Sequence, residues 1–230
     1  MKLKWSKKLT LVISSIIAVF SLLGNLFLIN KVKDYQEKET FKVINVFDGD
    51  TFYLENQQKV RLLNCDAPEL KYCGGEEAKK RLEELILGKK VKVEWVTTDK
   101  FGRSIALVYQ GKNYINKIMV KEGWVFYEGR KFEGSDEFVQ LTRDAREQGK
   151  GIYQPRCYQK ENPTNPKCSI AGNLSRNTGE KLYHFPGCSD YKNTIVEKFM
   201  GDDWFCTEEE AQKAGYTKSK NCYDKSFQGD

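Results

Sequence analysis

The sequence predicts an α+β protein built on a small five-stranded Greek-key barrel with about three helices. A transmembrane helix is expected before the barrel and a small cysteine-containing domain after it. Three observations lead there. Five short β-rich runs carry turn chemistry between them, with a helical stretch inserted after the third. An uncharged run of 22 residues follows an N-terminal lysine cluster. Five of the seven cysteines lie from Cys157 onward.

The strands are expected at Phe41–Phe47, Thr51–Leu54, Lys59–Leu63, Val91–Thr97 and Ser104–Tyr109. Asp48-Gly49-Asp50 and Asn56-Gln57-Gln58 supply the first two turns, and Asp99 to Arg103 supplies the last. Glu76 to Leu87 reads as a helix, because Ala78, Leu82, Leu85 and Ile86 recur at helical spacing and Gly88 stops it. Tyr114 to Glu122 is a second helix. A third begins at Ser135 as N-cap, buries Phe138, Leu141 and Ala145, and ends at Gly149. This order fits an OB-type barrel, an architecture that often holds nucleic acids or sugars without by itself assigning a function.

Leu9 to Asn30 carries no charge, and 22 helical residues rise ~33 Å, enough to cross a bilayer core. Lys2, Lys4, Lys7 and Lys8 precede the run, against Lys31 and Lys33 behind it, which favours a cytoplasmic N-terminus and an exported remainder. A cleaved signal peptide, giving a secreted protein, is the competing reading; the run exceeds a normal ~7–15-residue apolar region and no A-x-A-like site follows it. Residues 1–40 thus form anchor and linker, 41–160 the barrel domain, and 161–230 an accessory domain. These segments carry net charges of +4, +4 and −2, so the barrel could attract a polyanion and the tail has no such bias.

A single histidine, His184, removes His-rich metal sites and Ser-His-Asp chemistry, and acid–base work falls to carboxylates, Lys, Tyr or Cys. Asp50, Arg61, Asp66, Glu69 and Arg103 form the informative set. Asp50 follows a turn and Asp66 ends the third strand region, which pairs beside the second. Two carboxylates meeting there suit a hard cation such as Ca²⁺. Glu69, beyond Pro68, can activate a water, while Arg61 and Arg103 offer planar donors to phosphate oxygens. That inventory meets the needs of phosphodiester hydrolysis.

Asp48-Gly-Asp-Thr51, Arg61-Leu-Leu-Asn-Cys-Asp66-Ala-Pro-Glu69 and Asp99-Lys-Phe-Gly-Arg103, in this order and spacing, resemble the staphylococcal nuclease (thermonuclease) family over about residues 41–155. The resemblance implies an OB-fold endonuclease acting on DNA and/or RNA. Its Ca²⁺ would be held by Asp50, Asp66 and the Ala67 carbonyl, with Arg61, Glu69 and Arg103 catalytic. Ala67 stands where the family commonly has Thr, which leaves the carbonyl in place. Phe101 replaces a Tyr that helps contact nucleotide, and the loop Leu70–Gly75 is short. These departures bear on substrate preference more than on chemistry. The rival reading is a surface-anchored, non-catalytic nucleic-acid-binding barrel; five intact site residues favour the enzyme. A third reading makes the tail the working part, as in a surface adhesion or envelope protein. No protein partner is expected.

On the exported side disulfides are the default, and an odd count leaves at least one thiol unpaired in a monomer. Cys65 reads as a small buried residue. The tail reads first as disulfide-stapled and second as metal-binding; Tyr183-His184-Phe185-Pro186-Gly187-Cys188, Trp204-Phe205-Cys206 and Ala214-Gly215-Tyr216 resemble a small module appended to some bacterial nuclease-like and surface proteins and, faintly, the zinc-binding domain of the Ada DNA-repair family. Thr207-Glu-Glu-Glu210 opens a helix there as a capping box, and His184 is expected to be structural.

Overall fold

The computed structural model describes residues 16–28, 31, 40–132, 134–176 and 178–227. The chain divides into two units, Met1–Thr40 and Phe41–Asp230. In the first, residues 16–28 are helical, with exposed apolar side chains that include Ile17, Phe20, Leu23 and Phe27. No helix among the described residues is long and apolar enough to cross a membrane. Thirteen helical residues rise only ~20 Å, and the remainder of the span expected over Leu9–Asn30 lies outside the described residues.

Strands β1 (Thr40–Val46), β2 (Thr51–Leu54) and β3 (Lys59–Leu62) form an antiparallel meander. A two-residue strand β4 (Cys65–Asp66) and helix α1 (Gly75–Ile86) follow, then β5 (Lys90–Thr98), β6 (Ser104–Gln110) and β7 (Asn113–Tyr114). The sheet runs β3-β2-β1-β5-β6-β7, and a parallel pairing of β3 with β6 closes it into a barrel. Parallel neighbours need a long crossover; α1 and β5 supply it. Each of the five expected strands lies within two residues of its observed position. β4 and β7 are too short to leave a periodic signal, as is a later two-residue strand at Phe126–Tyr127.

Val43, Phe52, Leu54, Val60, Leu62 and Val108 fill the barrel, covered by Leu82 and Ile86 of α1. Helix α2 (Ile115–Lys121), β8 (Phe126–Tyr127) and α3 (Ser135–Glu147) complete the wall. Asn116, buried at 0% exposure, brackets this layer. Its Oδ1 accepts from Val108 N at 3.0 Å, and its Nδ2 donates to the carbonyls of Leu63 and Ala106 at 3.1 Å each. Ser135, expected as the N-cap of α3, is instead its first helical residue. The cap is Gly134 at φ 85°, a left-handed conformation that costs glycine no Cβ clash.

The tail contributes β9 (Tyr158–Gln159), β10 (Ile170–Leu174), β11 (Lys181–His184), β12 (Val196–Glu197), β13 (Asp203–Phe205), helix α4 (Glu208–Lys213) and β14 (Thr217–Lys218). Four of these strands form a sheet in the order β13-β10-β11-β14, while β9 pairs with β12. Thr207 caps α4, its Oγ1 accepting from Glu210 N, while Glu210 Oε2 reaches back to Cys206 N at 2.8 Å. Disulfides join Cys168 to Cys206, Cys188 to Cys222 and Cys73 to Cys157; Cys65 is free and buried. His184 is buried with an unpartnered Nδ1, and burial lowers its pKa.

Packing continues across the boundary expected after residue 160. Phe199, at 1% exposure, fills a cluster with Ala145, Ile152, Tyr153 and Cys157, and Trp204 Nε1 donates to Gln159 Oε1 at 2.8 Å. Residues 41–230 are one compact body with a shared core.

Candidate active site

The Asp48-Gly49-Asp50 turn is shaped by its neighbours. Asp48 Oδ1 accepts from Asp50 N at 3.0 Å, and Phe47 N donates to Thr51 O at 2.8 Å. A Cβ on Gly49 would lie 2.6 Å from Ala78 Cβ and 2.7 Å from Ala67 Cβ, so only glycine lets the turn pack on α1 and on the chain beyond Asp66. Asp50 is thereby buried at 1% exposure. Its Oδ1 accepts from Thr51 Oγ1 at 2.6 Å and Arg61 Nη1 at 2.8 Å, and its Oδ2 from Ala67 N at 2.7 Å.

The β2–β3 register sets Thr51 opposite Arg61, and the β3–β6 register sets Arg61 beside Ile105. Arg61 and Arg103 therefore project at one mouth of the barrel. Asp66 is held there by the pairing of β4 with β8, opposite Phe126. Arg61 bridges the two carboxylates: Nη1 to Asp50, and Nη2 to Asp66 Oδ1 at 2.6 Å. Expected as a phosphate ligand, this arginine also neutralises the facing carboxylates. Burial alone would lower its pKa, but the attraction of Asp50 and Asp66 outweighs that and keeps it charged.

Arg61, Asp66, Glu69 and Arg103 line one cleft of about 760 Å³, together with Lys59, Asn64, Lys100, Phe101, Glu128 and Arg130. Glu69 is exposed, and among the described residues no side chain hydrogen-bonds or ion-pairs with its carboxylate. Arg103 is oriented by Asp99, which accepts from its N at 2.9 Å and its Nε at 2.7 Å. Partial desolvation would raise the Asp99 pKa, but these bonds and one from Phe101 N lower it. Phe101 is 71% exposed, with the Arg103 guanidinium 5.5 Å from its ring centroid.

Sequence reasoning passed over Glu128 and Arg130. Glu128 Oε1 lies 3.5 Å from Arg61 Nη2, and its Oε2 lies 3.2 Å from Arg130 Nε. They reach the cleft because Asn64 Nδ2 donates to Arg130 O at 2.7 Å, a link across 66 positions. No local pattern announces such a contact.

Donor chemistry tests whether a cation fits. Asp50 and Asp66 present only hard oxygen donors, and both reach a single guanidinium. Burial drives the Asp50 pKa up to about 8, with Asp48 adding to the rise and Arg61 and the Ala67 N–H opposing it. A cation beside this buried carboxylate would offset its desolvation as Arg61 does in part. Among the described residues no group of three or more His, Cys, Asp and Glu side chains is placed to hold a metal. Two carboxylates must then be supplemented by main-chain oxygen and water, a donor set that Ca²⁺ accepts.

Residues 59–155 match the staphylococcal nuclease homologue family. An uncharacterized endonuclease of Haemophilus influenzae is 32% identical over 124 residues, covering 51% of this chain and 68% of that protein. The chain belongs to the staphylococcal nuclease family. The micrococcal nuclease of Shigella flexneri is 33% identical over 127 residues, covering 49% of this chain and 72% of that protein. The thermonuclease of Staphylococcus hyicus is 29% identical over 130 residues, with coverages of 50% and 76%. This nuclease is therefore a thermonuclease-like endonuclease, and its relatives imply a nucleic-acid substrate.

Proposed function

We propose that this nuclease hydrolyses phosphodiester bonds of DNA and/or RNA in a Ca²⁺-dependent reaction, with Glu69 as general base and Arg61 and Arg103 stabilising the phosphate. The observation that carries the reading is the convergence of Arg61, Asp66, Glu69 and Arg103 on one cleft. Glu69, exposed at the cleft, takes a proton from water as the water oxygen bonds to phosphorus and the P–O bond to the leaving sugar oxygen breaks. Arg103, its Nε fixed by Asp99, brings positive charge to the phosphate oxygens as their negative charge grows. Arg61 serves the phosphate and the acidic pair together. Asp50, Asp66 and the Ala67 carbonyl would hold Ca²⁺, which supplies charge neutralisation and substrate orientation when bound.

The test pairs cleavage rate with equilibrium binding at one stated salt concentration. Glu69→Gln should slow cleavage by ~10²–10⁴-fold and Arg103→Ala by ~10²–10³-fold, with binding of uncut nucleic acid little changed. Chelator should abolish wild-type activity and added Ca²⁺ restore it. Cleavage by Glu69→Gln at the wild-type rate, or full activity in chelator, would remove the base or the ion from this reading.

The N-terminal segment is part of the same proposal: a single-pass anchor with the nuclease outside the cytoplasm. Exposed apolar side chains along residues 16–28 and the lysine asymmetry around Leu9–Asn30 support it.

A further inference from the structure

We propose that the C-terminal region braces the active-site loop, and that Tyr72 is the positioning residue through which it acts on Glu69. The inference rests on Glu69 being the base and adds a role for the tail. Glu69 heads a tight turn in which its carbonyl accepts from Tyr72 N at 2.8 Å. The Tyr72 carbonyl in turn accepts from Gly75 N at 3.1 Å, where α1 begins. A displacement of Tyr72 is thus passed to the Glu69 backbone three residues away.

Two contacts hold this turn, one to the end of the barrel domain, which is itself tied to the tail, and one to the tail directly. The first is covalent: Cys73 is bonded to Cys157, 84 positions on, with Cα atoms 5.5 Å apart, and the Cys157 carbonyl accepts from Lys198 N at 2.9 Å. The second is steric. Gly201 has φ 89°, and a Cβ there would lie 2.7 Å from Tyr72 Cζ and 2.8 Å from its hydroxyl oxygen, so the ring rests directly on the Gly201 backbone. That backbone is anchored in turn, its carbonyl accepting from Tyr216 OH at 3.0 Å, and Tyr216 belongs to the tail core. Residues 198–200 between these contacts carry the buried Phe199.

The tail also packs on the strand pair that carries Asp66. The Arg176 guanidinium lies 3.8 Å from the Phe126 ring centroid, and Phe126 is the strand partner of Asp66. A tail that served stability alone could dock anywhere on the barrel. This one meets the barrel at Tyr72, three positions beyond Glu69, and at Phe126, opposite Asp66, and it holds the Cys157 backbone whose disulfide reaches Cys73. Misplacing a catalytic group by about 1 Å can cost ~10²-fold in rate, so such contacts bear on turnover.

The experiment uses the full chain and measures kcat, KM and thermal midpoint on a nucleic-acid substrate. Tyr72→Ala should lower kcat by ~10–10²-fold with KM changed less than ~3-fold. Tyr72→Phe, which keeps the ring on Gly201, should restore turnover. The paired Cys73→Ser/Cys157→Ser variant should show the same split and stands in if Tyr72→Ala fails to fold. In a Glu69→Gln background Tyr72→Ala should cost little more, because the group it positions is already gone. Wild-type kcat in folded Tyr72→Ala and in the cysteine pair overturns the brace, as does an equal loss with and without Glu69. Wild-type turnover in Glu69→Gln overturns the assignment of the base instead, so the two failures are distinguishable.

Discussion

At the scale of single residues, the site is organised by charges that are buried before they are paired. Asp50 is almost fully enclosed, yet two of the three donors to its carboxylate are uncharged: the Thr51 hydroxyl and the Ala67 N–H. Among the described residues only Arg61 brings positive charge to that carboxylate, and it shares it with Asp66 and Glu128. Asn116 shows the opposite condition, a buried polar group with its amide fully engaged. Removing it orphans the Val108 N–H and the Leu63 carbonyl, while the Ala106 carbonyl keeps the Leu63 N–H at 2.8 Å, and each unsatisfied buried group costs ~1–3 kcal/mol. Asn116→Ala should therefore lower unfolding free energy by roughly 3 kcal/mol, measured by denaturant titration, while Glu69 chemistry in the remaining folded fraction is retained. A variant as stable as wild type would show that water replaces the amide.

Secondary elements carry the second level of control. The β3–β6 closure joins Arg61 to Arg103, and β4–β8 adds Asp66. In the tail, Asp202 plays a joining role: its Oδ1 accepts from Leu174 N at the end of β10 and its Oδ2 from Glu197 N in β12. Burial raises its pKa to about 6, against the lowering effect of those two bonds. An unfolded chain releases this proton near pH ~3.9, so between there and about pH 6 the folded state binds more protons. Stability contributed through this group must then fall as pH rises across that window. The difference in unfolding free energy between wild type and Asp202→Asn should slope between pH ~4 and ~6 and be flat above it. Parallel curves over that range would mean that Asp202 titrates normally.

For the whole molecule, function depends on what joins the barrel to its surroundings. Residues 41–160 carry the positive charge and 161–230 a slight negative charge, so the substrate is drawn to the barrel side. Affinity for uncut nucleic acid should fall linearly on a log–log plot against salt, with a shallower slope in Lys100→Ala, which removes one cation from the cleft. An unchanged slope would place Lys100 off the path of the phosphates. The proposed orientation makes a separate prediction: protease added to intact cells should strip residues 41–230 from the membrane fraction. Protection until the cytoplasm is opened would reverse the topology.

The sequence by itself determined the strands, the order of the helices and the three motifs that mark the family. These are local properties: alternation, turn chemistry and short spacings survive without a partner. It also brought Asp50, Arg61, Asp66, Glu69 and Arg103 onto one list, and the fold places four of them along a single cleft with Asp50 buried behind. Tertiary structure decided the rest. Arg61 bridges two carboxylates because barrel closure brings both within reach of one guanidinium. Glu128 and Arg130 enter the cleft through a hydrogen bond spanning 66 positions. The cysteine partners were open in the sequence because seven thiols pair in many ways with one left over, and only packing selects Cys73 with Cys157. The tail read as a separate domain because its composition changes after Tyr158. It joins the barrel because Phe199 packs with Ile152 and Tyr153 and Gly201 lies against Tyr72, and contacts between residues so distant in the chain leave no periodicity to read.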